Sequence, residues 1–187
     1  SFSAQIEGTW KLAPQAAALG VGPGLGNTSW WSNSAGDVTT RACLFDDSIK
    51  FEANGAMTHY MDGSTWLEGW QGATPDACGT PVAPFDGSGN ATWKYDAAKG
   101  TVTLYGKGAF IGLPKAYNGG ELSKVADAKD SITYEVSVTG SNMSVDISIG
   151  GGYWHFELVK KMPEINPVGL WKLRPVETSM AVGPAKG

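Results

Sequence analysis

Short stretches in which apolar and polar side chains alternate recur along most of the chain. A period of two is typical of β-strands with one buried face. It predicts strands over residues 6–12, 45–51, 92–95, 101–105, 132–138, 143–149 and 153–159. Turn-forming residues separate these stretches, and the polar turn at 139–142 joins 132–138 to 143–149 as the clearest hairpin.

Helical periodicity is confined to two short segments, 14–19 and 121–129, each about two turns long. The many short strands and the Gly-rich turns therefore predict an all-β fold. Its strands are antiparallel, and they form either a single β-barrel or a β-sandwich, with at most short helical turns. The pattern does not decide between the barrel and the sandwich, because both need alternating strands.

Composition narrows the function classes without identifying one. The chain has 187 residues and a formal net charge of −4, which suits one domain. Hydrophobic residues make up 42%, enough for a core, so a disordered chain is not expected. The acidic balance argues against nucleic acid and anionic lipid as partners, since both need clustered Lys and Arg. No apolar run approaches the roughly 20 residues of a membrane helix, so membrane insertion is not expected either.

Cys43 and Cys78 are the two cysteines of the chain. They lack the CxxC spacing and the neighbouring histidine typical of metal sites, so they do not predict one. One disulfide in an exported protein is favoured, with two free buried thiols as the alternative. Such a bond would hold residues 66–70 against the predicted strand 45–51, and loop-closure entropy would contribute about 3–4 kcal/mol.

The opening of the domain recurs near the end of the sequence. The segment 8–14, GTWKLAP, returns at 169–175 as GLWKLRP, and the match continues without a gap. Gapless self-similarity indicates a tandem repeat; two independent strand starts that share a Gly-x-Trp pattern are the alternative. The predicted organisation is a leader at 1–7, a β-domain or repeat unit at 8–163, a linker at 164–168 and the start of a second repeat at 169–187.

Residue patterns typical of catalysis are scarce. His59 and His155 are the two histidines, outside any HExxH or GxSxG motif, so each is expected to be an ordinary strand side chain. The Gly-rich segment 20–26 lacks the Lys-Ser/Thr ending of a phosphate-binding loop and is interpreted as a mobile connection. Residues 46–47 and the turn 86–90 lack a full Ca²⁺-ligand pattern. We predict neither an enzyme nor a bound cofactor or metal.

The eight tryptophans divide into two groups. Trp10, Trp93, Trp154 and Trp171 lie in alternating stretches and are expected in the core. The other four lie in polar, Gly-flanked segments, where binding and core packing are weighed evenly. Tryptophan rings stack on the C–H faces of sugars, while amide, carboxylate and guanidinium groups bind sugar hydroxyls. The predicted carbohydrate-binding residues are Trp30, Trp31, Trp66, Trp70, Arg41, Asp62, Glu68 and Gln71.

The spacing of these loop tryptophans predicts the directions in which their rings point. Adjacent side chains on an extended chain point to opposite faces, so the rings of Trp30 and Trp31 are expected to diverge. Trp66 and Trp70 are four positions apart, which would place both on one face of an extended strand.

Two resemblances connect these features with known domains. The segments 8–10, 45–55 and 154–159 resemble the lipocalin-like domains of exported Bacteroidetes proteins. A longer pattern, made of GTWKLAP, TSWWS, RACLFDD, WLEGWQG, CGTPVAP and GGGYW, resembles repeated accessory domains in secreted proteins of marine Bacteroidetes, found beside glycoside hydrolases and near polysaccharide-utilisation machinery. The resemblance implies a lipocalin-like barrel at the bacterial cell surface or outside the cell. It also implies capture of a polysaccharide, with algal β-glucan or galactan as expected partners, beside neighbouring modules of one parent chain.

The leading hypothesis is a non-catalytic carbohydrate-binding module of an exported multi-module protein. The first alternative is a lipocalin-like binder whose barrel interior holds a small apolar ligand, which requires an open cavity lined by Phe, Met and Trp. The second is a structural repeat of a surface fibre or adhesin that contacts only its neighbours. An enzyme is the third, and it requires two carboxylates about 5–10 Å apart in a cleft.

Overall fold

The computed structural model describes residues 2–162, and these are mainly β-structure. Its strands are β1 (Gly8–Leu12), β2 (Leu19–Gly22), β3 (Trp31–Ser32), β4 (Ser48–Phe51), β5 (Ala56–Tyr60), β6 (Thr65–Leu67), β7 (Ala77–Gly79), β8 (Ala91–Asp96), β9 (Thr101–Tyr105), β10 (Ala116–Tyr117), β11 (Gly120–Glu121), β12 (Ser131–Thr139), β13 (Asn142–Ser148) and β14 (Tyr153–Lys160). The helices are α1 (Ala35–Thr40) and α2 (Ala42–Phe45), with 3-10 turns at Phe2–Gln5, Gly69–Gln71 and Val125–Asp127. The predicted linker 164–168 and second repeat 169–187 lie outside the described residues.

Eight of the strands close into an antiparallel barrel. Their hydrogen-bonded order is β1-β4-β5-β8-β9-β12-β13-β14, and β14 pairs with β1 to complete the circle. Each barrel strand pairs with the barrel strands that precede and follow it in the chain, which is the up-and-down arrangement. The predicted all-β antiparallel fold is confirmed, and the chain adopts the barrel rather than the sandwich.

The apolar side chains of the alternating strands fill the inside of this barrel. On β13, Met143, Val145 and Ile147 are buried, while the residues at both ends of the strand are exposed. The largest fully buried side chains include Trp10, Phe51, Tyr134 and Phe156. A cavity beside Trp10 and another beside Met57 are each about 20 Å³, room for about one water molecule. The barrel interior is therefore packed around both positions.

Three of the four tryptophans expected in the core are found there. Trp10, Trp93 and Trp154 are buried, whereas Trp171 lies outside the described residues. The indole N–H of Trp10 donates to the backbone oxygen of Ile6 at 2.7 Å, and Ile6 is itself fully buried. The end of the predicted leader thus packs with the barrel, because Ile6 contributes to its core.

β1 and β2 form one interrupted wall strand beside β14. β1 pairs with residues 158–160 of β14, and β2 pairs with residues 153–156. Glu157 bonds to both sides of the interruption: its carbonyl accepts the N–H of Ala13, and its N–H donates to the carbonyl of Ala18, at 2.9 and 2.8 Å. The Gly-rich segment 20–26, which was interpreted as a mobile connection, therefore begins as part of the wall strand β2.

Both predicted helical segments are wrong. Residues 14–17 form the exposed excursion between β1 and β2, and segment 121–129 contains only a 3-10 turn. The sequence pattern missed α1, which begins at a capping box. The N–H of Asp37 donates to Ser34 Oγ at 3.1 Å, and the N–H of Ser34 donates to Asp37 Oδ2 at 2.8 Å. Within residues 2–162, no helix is long and apolar enough to cross a membrane.

The two ends of the barrel carry different connections, because alternate connections of an up-and-down barrel meet at the same end. We call one end the turn end; its connections are 52–55, 97–100 and 140–141. We call the other the loop end; its connections are 13–47, 61–90, 106–130 and 149–152. The described elements that come after β1 and are not barrel strands lie in the loop-end connections. They include both helices and the β6–β7 and β10–β11 hairpins.

The predicted disulfide is present and fastens part of the loop end. Cys43 on α2 is bonded to Cys78 on β7, with their Cα atoms 6.0 Å apart. β7 pairs with β6, so the bond holds the β6–β7 hairpin against α2. The predicted strand 45–51 is shorter than expected, because α2 ends at Phe45 and β4 begins at Ser48. The element that anchors the hairpin is thus a helix and not a strand.

Candidate functional site

A cleft of about 280 Å³ opens at the loop end, and we call it the loop-end cleft. Its volume is near the lower limit for small-molecule sites. It is lined by Val21 on β2, Trp31 on β3, Arg41 between the two helices, Glu68 after β6, Leu113 and Lys115 before β10, and Trp154 on β14. These residues come from six separate parts of the chain, which meet at the loop end.

Arg41 occupies the centre of an aromatic cluster beside the cleft. Its guanidinium carbon lies 5.0 Å from the ring centroid of Trp31 and 4.5 Å from that of Trp66. Both distances are in the range of cation–π attraction. The backbone fixes the position, because the N–H of Arg41 donates to the carbonyl of Asp37 at 2.7 Å where α1 ends.

Lys115 contributes a second cation, which is neutralised by two carboxylates. Its Nζ lies 3.1 Å from Glu68 Oε2 and 3.5 Å from Glu121 Oε2. The same Nζ lies 5.1 Å from the ring centroid of Trp154. Lys115 therefore joins the connection after β9 to the segment after β6 across the cleft.

Two rings form apolar walls of the cleft. Trp31 and Trp154 are in edge-to-face contact, with ring centroids 6.2 Å apart. Trp154 is buried and stacks on Phe156 from the barrel core at 6.3 Å. Trp31 keeps 37% of its surface exposed, so it is the ring that a ligand in the cleft can reach.

Several buried polar atoms at the cleft lack a hydrogen-bond partner within residues 2–162. They are Glu68 Oε1, Trp66 Nε1 and Trp154 Nε1. Buried polar groups in proteins are nearly always paired with protein, water or ligand, because leaving one unpaired costs about 1–3 kcal/mol. One acceptor and two donors therefore remain to be satisfied around the cleft.

The structure brings together half of the eight predicted site residues. Trp31, Arg41 and Glu68 line the cleft. Trp66 adjoins it beneath Arg41, but only 8% of its surface is exposed, so its ring is not an open stacking platform as predicted. Trp30 is 57% exposed and packs against Gly152 rather than into the cleft.

The other predicted residues lie elsewhere. Trp70 is in the 3-10 turn after β6, so the extended geometry expected for 66–71 does not hold, and its ring packs against Phe85 at 5.4 Å. Gln71 is buried, and its Oε1 accepts the N–H of Glu68 at 3.3 Å. Asp62 lies in an exposed turn on a groove of the outer wall.

Lys115 and Trp154 line the cleft but were missed as site residues. Trp154 was assigned to the core from its alternating strand, and it does stack there while also forming a cleft wall. The glycines at 150–152 just before it were a signal that this strand starts at a connection. Lys115 lies in a segment without periodicity, and no sequence signal pointed to it.

Asp47 and His59 lie together at a second polar site, a small cavity of the loop end. Both line the cavity of about 20 Å³ beside Trp10. Burial raises the pKa of Asp47 to about 8, although the hydroxyl of Thr65 donates to its Oδ2 at 2.6 Å, and burial lowers the pKa of His59 to about 4. Asp47 Oδ1 and His59 Nδ1 are unpaired among the described residues. The cavity accommodates a water molecule and excludes a substrate.

The second histidine belongs to a polar cluster on the outer wall of the barrel. His155 Nδ1 lies 2.9 Å from Asp146 Oδ1, and its Nε2 lies 2.8 Å from Glu157 Oε1. The hydrogen bond to Asp146 is the main cause that raises the pKa of His155, against the effect of burial. Over residues 2–162, no group of His, Cys, Asp and Glu side chains is arranged to hold a metal ion.

Neither a scan against models of protein families nor searches of curated proteins and of solved structures found a match to this chain. The resemblance to accessory domains of marine Bacteroidetes stays a prediction.

Proposed function

We propose that the chain is a non-catalytic carbohydrate-binding module of an exported multi-module protein, and that the loop-end cleft holds the sugar. The observation that carries this proposal is the combination of an accessible tryptophan with unpaired polar atoms in one small cleft. Trp31 supplies the ring, and Glu68 Oε1 supplies a buried acceptor without a partner among the described residues.

The chemistry of a sugar matches this combination. A pyranose ring has an apolar C–H face and a rim of hydroxyl groups, so it needs an aromatic surface beside donors and acceptors. Arg41 offers guanidinium N–H donors, and Glu68 offers a carboxylate acceptor. Binding a hydroxyl at Glu68 Oε1 would also remove the cost of leaving that oxygen unpaired.

The first alternative, an apolar ligand inside the barrel, has less support. It requires an open interior cavity, whereas the cavities beside Trp10 and Met57 are each about 20 Å³. The second alternative, a structural repeat of a fibre or adhesin, requires exposed aromatic residues such as Trp30 to be covered by neighbouring modules. It therefore predicts no affinity for a soluble glycan.

The disulfide supports the exported part of the proposal. Cys43 and Cys78 are oxidised, which indicates an oxidising environment. We propose that this environment is the bacterial cell surface or the extracellular space. Neighbouring modules of the parent chain would then add avidity to a weak single site.

Titration calorimetry and affinity electrophoresis with soluble algal β-glucans and galactans test the proposal. Trp31→Ala is expected to weaken binding about tenfold or more, because it removes the accessible ring of the cleft. Trp30→Ala is the matched control: it removes an adjacent and more exposed ring outside the cleft, and it should leave the Kd unchanged.

Two results would reject this assignment. If no glycan of the panel binds, the chain is not a carbohydrate-binding module for this class of polysaccharide. If Trp30→Ala abolishes binding and Trp31→Ala does not, the sugar site lies outside the loop-end cleft.

A further inference from the structure

Arg41 differs from the other cation of the loop-end cleft in having no acidic partner. Lys115 is held between Glu68 and Glu121, at 3.1 and 3.5 Å. The guanidinium of Arg41 instead lies over the rings of Trp31 and Trp66, and within the described part of the chain it forms no ion pair. One unneutralised positive charge therefore faces the cleft.

The acidic residue on the preceding helix does not cancel this charge. The pKa of Asp37 is lowered mainly by its hydrogen bonds with Ser34, and the charge of Arg41 adds only a minor effect. The Asp37 carboxylate accepts the N–H of Ser34 at 2.8 Å and forms no ion pair with Arg41. Glu68, the carboxylate inside the cleft, is already shared with Lys115.

A guanidinium in this position is suited to an oxyanion. Its N–H donors form a fork that matches carboxylate or sulfate oxygens. The ring contacts hold the Arg41 side chain in place and use none of these donors for a hydrogen bond in the described residues. Its position is thus fixed before a ligand arrives.

We propose that the sugar bound at the loop-end cleft is acidic, with a carboxylate or sulfate group that is recognised by Arg41. This inference rests on the proposed function and adds the substrate class. In this arrangement the anionic group contacts Arg41, a hydroxyl donates to Glu68 Oε1, and Trp31 covers the apolar face of the ring. The net charge of the chain is −4, so general attraction of polyanions cannot explain such a preference, whereas a local cation can.

Pairs of saccharides that differ only in charge test this inference. Calorimetry compares an oligogalacturonate with its carboxyl-reduced counterpart, and a sulfated galactan with its desulfated form. We expect the acidic member of at least one pair to bind about tenfold more tightly at low salt. The advantage should shrink at high ionic strength, because the interacting charges are partly exposed to solvent. The pair that shows the preference distinguishes carboxylate from sulfate.

Arg41→Met tests whether this residue causes the preference, since it keeps an unbranched apolar stem and removes the guanidinium charge. It should abolish the preference, so that the acidic and the neutral member of each pair bind with equal affinity. Lys99→Met is the matched control, because it removes the same charge from an exposed position at the turn end. Circular dichroism checks that both variants are folded.

The outcomes separate the inference from the proposed function. Equal binding of acidic and neutral sugars by the wild-type protein overturns the inference and leaves the carbohydrate-binding function standing. A preference that persists in folded Arg41→Met also overturns it. Failure of every saccharide to bind rejects the proposed function itself. The comparison of sugar pairs needs only the wild-type protein, so it is decisive even if the variant does not fold.

Discussion

The turn end and the loop end of the barrel close the same strands in different ways. The turn-end connections 52–55, 97–100 and 140–141 span two to four residues, and Gly55, Gly100 and Gly140 provide the positive φ angles that the reversals need. At the loop end, the connections 61–90 and 106–130 carry short hairpins. The loop end also holds the disulfide and the cleft.

The difference lies in how far along the chain the stabilising contacts reach. Each reversal of the turn end is fixed by the two strands that it joins. The loop end depends on contacts between distant segments, and besides the disulfide it has a second apolar cluster of Met61, Phe85, Phe110 and Leu122. A rigid barrel with variable connections at one end is a common way to build a binding site. The turn end is thus stabilised by local contacts, and the loop end by contacts between segments that are distant in the chain.

Removing the disulfide is the largest test of this division. Replacing Cys43 and Cys78 together by Ala should lower the free energy of unfolding by about 3–4 kcal/mol, because the bond closes a segment of 35 residues. Hydrogen exchange should show the greatest loss of protection in segment 61–90, which contains β6 and β7. Urea unfolding measures the global effect, and mass spectrometry of exchanged peptides measures the local one.

Peptides from β12 and β13 in the same variant provide the internal control, since their hairpin is closed at the turn end. Their protection should fall only as far as the global stability falls. Equal additional opening at both ends would show that the disulfide does not serve the loop end in particular.

A pair of glycine substitutions compares the ends at single positions. Gly112 and Gly140 both have positive φ, at 77° and 60°. A Cβ at Gly112 would overlap the ring of Phe156, whereas a Cβ at Gly140 would meet no atom of residues 2–162 within 4 Å. Gly112→Ala should therefore cost about 2–4 kcal/mol through overpacking and backbone strain. Gly140→Ala should cost about 1–2 kcal/mol through backbone strain alone.

Urea unfolding of the two variants under identical conditions makes this measurement. The midpoints of both should fall, and that of Gly112→Ala should fall further. Equal losses would mean that the connection 106–130 yields to the added methyl group, so that the loop end is not packed tightly against the barrel core at Phe156.

The sequence predicted the wall better than the loop end because alternation is a local signal. Strand β9 has the bounds that the pattern predicts, and the hairpin of β12 and β13 differs by one residue at most at each boundary. β5 was missed, because the polar His59 takes an inward position where an apolar residue is expected. The predicted helix at 14–19 failed because hydrogen bonds to the distant Glu157 fix that segment.

Only some of the cleft residues were predicted, because sequence signals are local. Residue type alone selected Trp31, Arg41 and Glu68, since each is an aromatic or charged side chain in a segment without strand periodicity. Lys115 and Trp154 could not be grouped with them, because the spatial neighbours of a long connection are set by the closed barrel. Loop aromatics that turned out to be packed, such as Trp70, have no local sequence signal that separates them from exposed ones.

A dependence of stability on pH is expected from polar groups near the loop end. Asp47 has a pKa of about 8 in the folded protein because burial disfavours its charged form. An unfolded chain releases that proton near pH 4, so the folded state binds more protons between about pH 4 and 8. The contribution of Asp47 to the free energy of unfolding therefore falls as pH rises, by at most about 1.4 kcal/mol per pH unit.

His155 acts in the same direction at the upper end of this range. Its raised pKa stabilises the folded state below about pH 6.5, and this contribution is lost as pH rises through the folded pKa. Between pH 6.5 and 8, the contributions of Asp47 and His155 to the free energy of unfolding should thus both decrease as pH rises. Below about pH 6.5 the lowered pKa of His59 opposes Asp47, because protonation there favours the unfolded chain.

Urea unfolding at pH 6.5, 7.2 and 8.0 measures this slope. Asp47→Asn keeps an acceptor for the hydroxyl of Thr65 and removes the titrating proton, so its stability should fall less steeply with pH than that of the wild type. His155→Gln should remove the contribution of His155 to this slope. In the double variant, the free energy of unfolding should change little between pH 6.5 and 8.0. If Asp47→Asn keeps the full slope of the wild type, the buried carboxyl already releases its proton in the folded protein. The loop end would then accommodate a buried charge beside Trp10, and its packing would be looser than that of the wall.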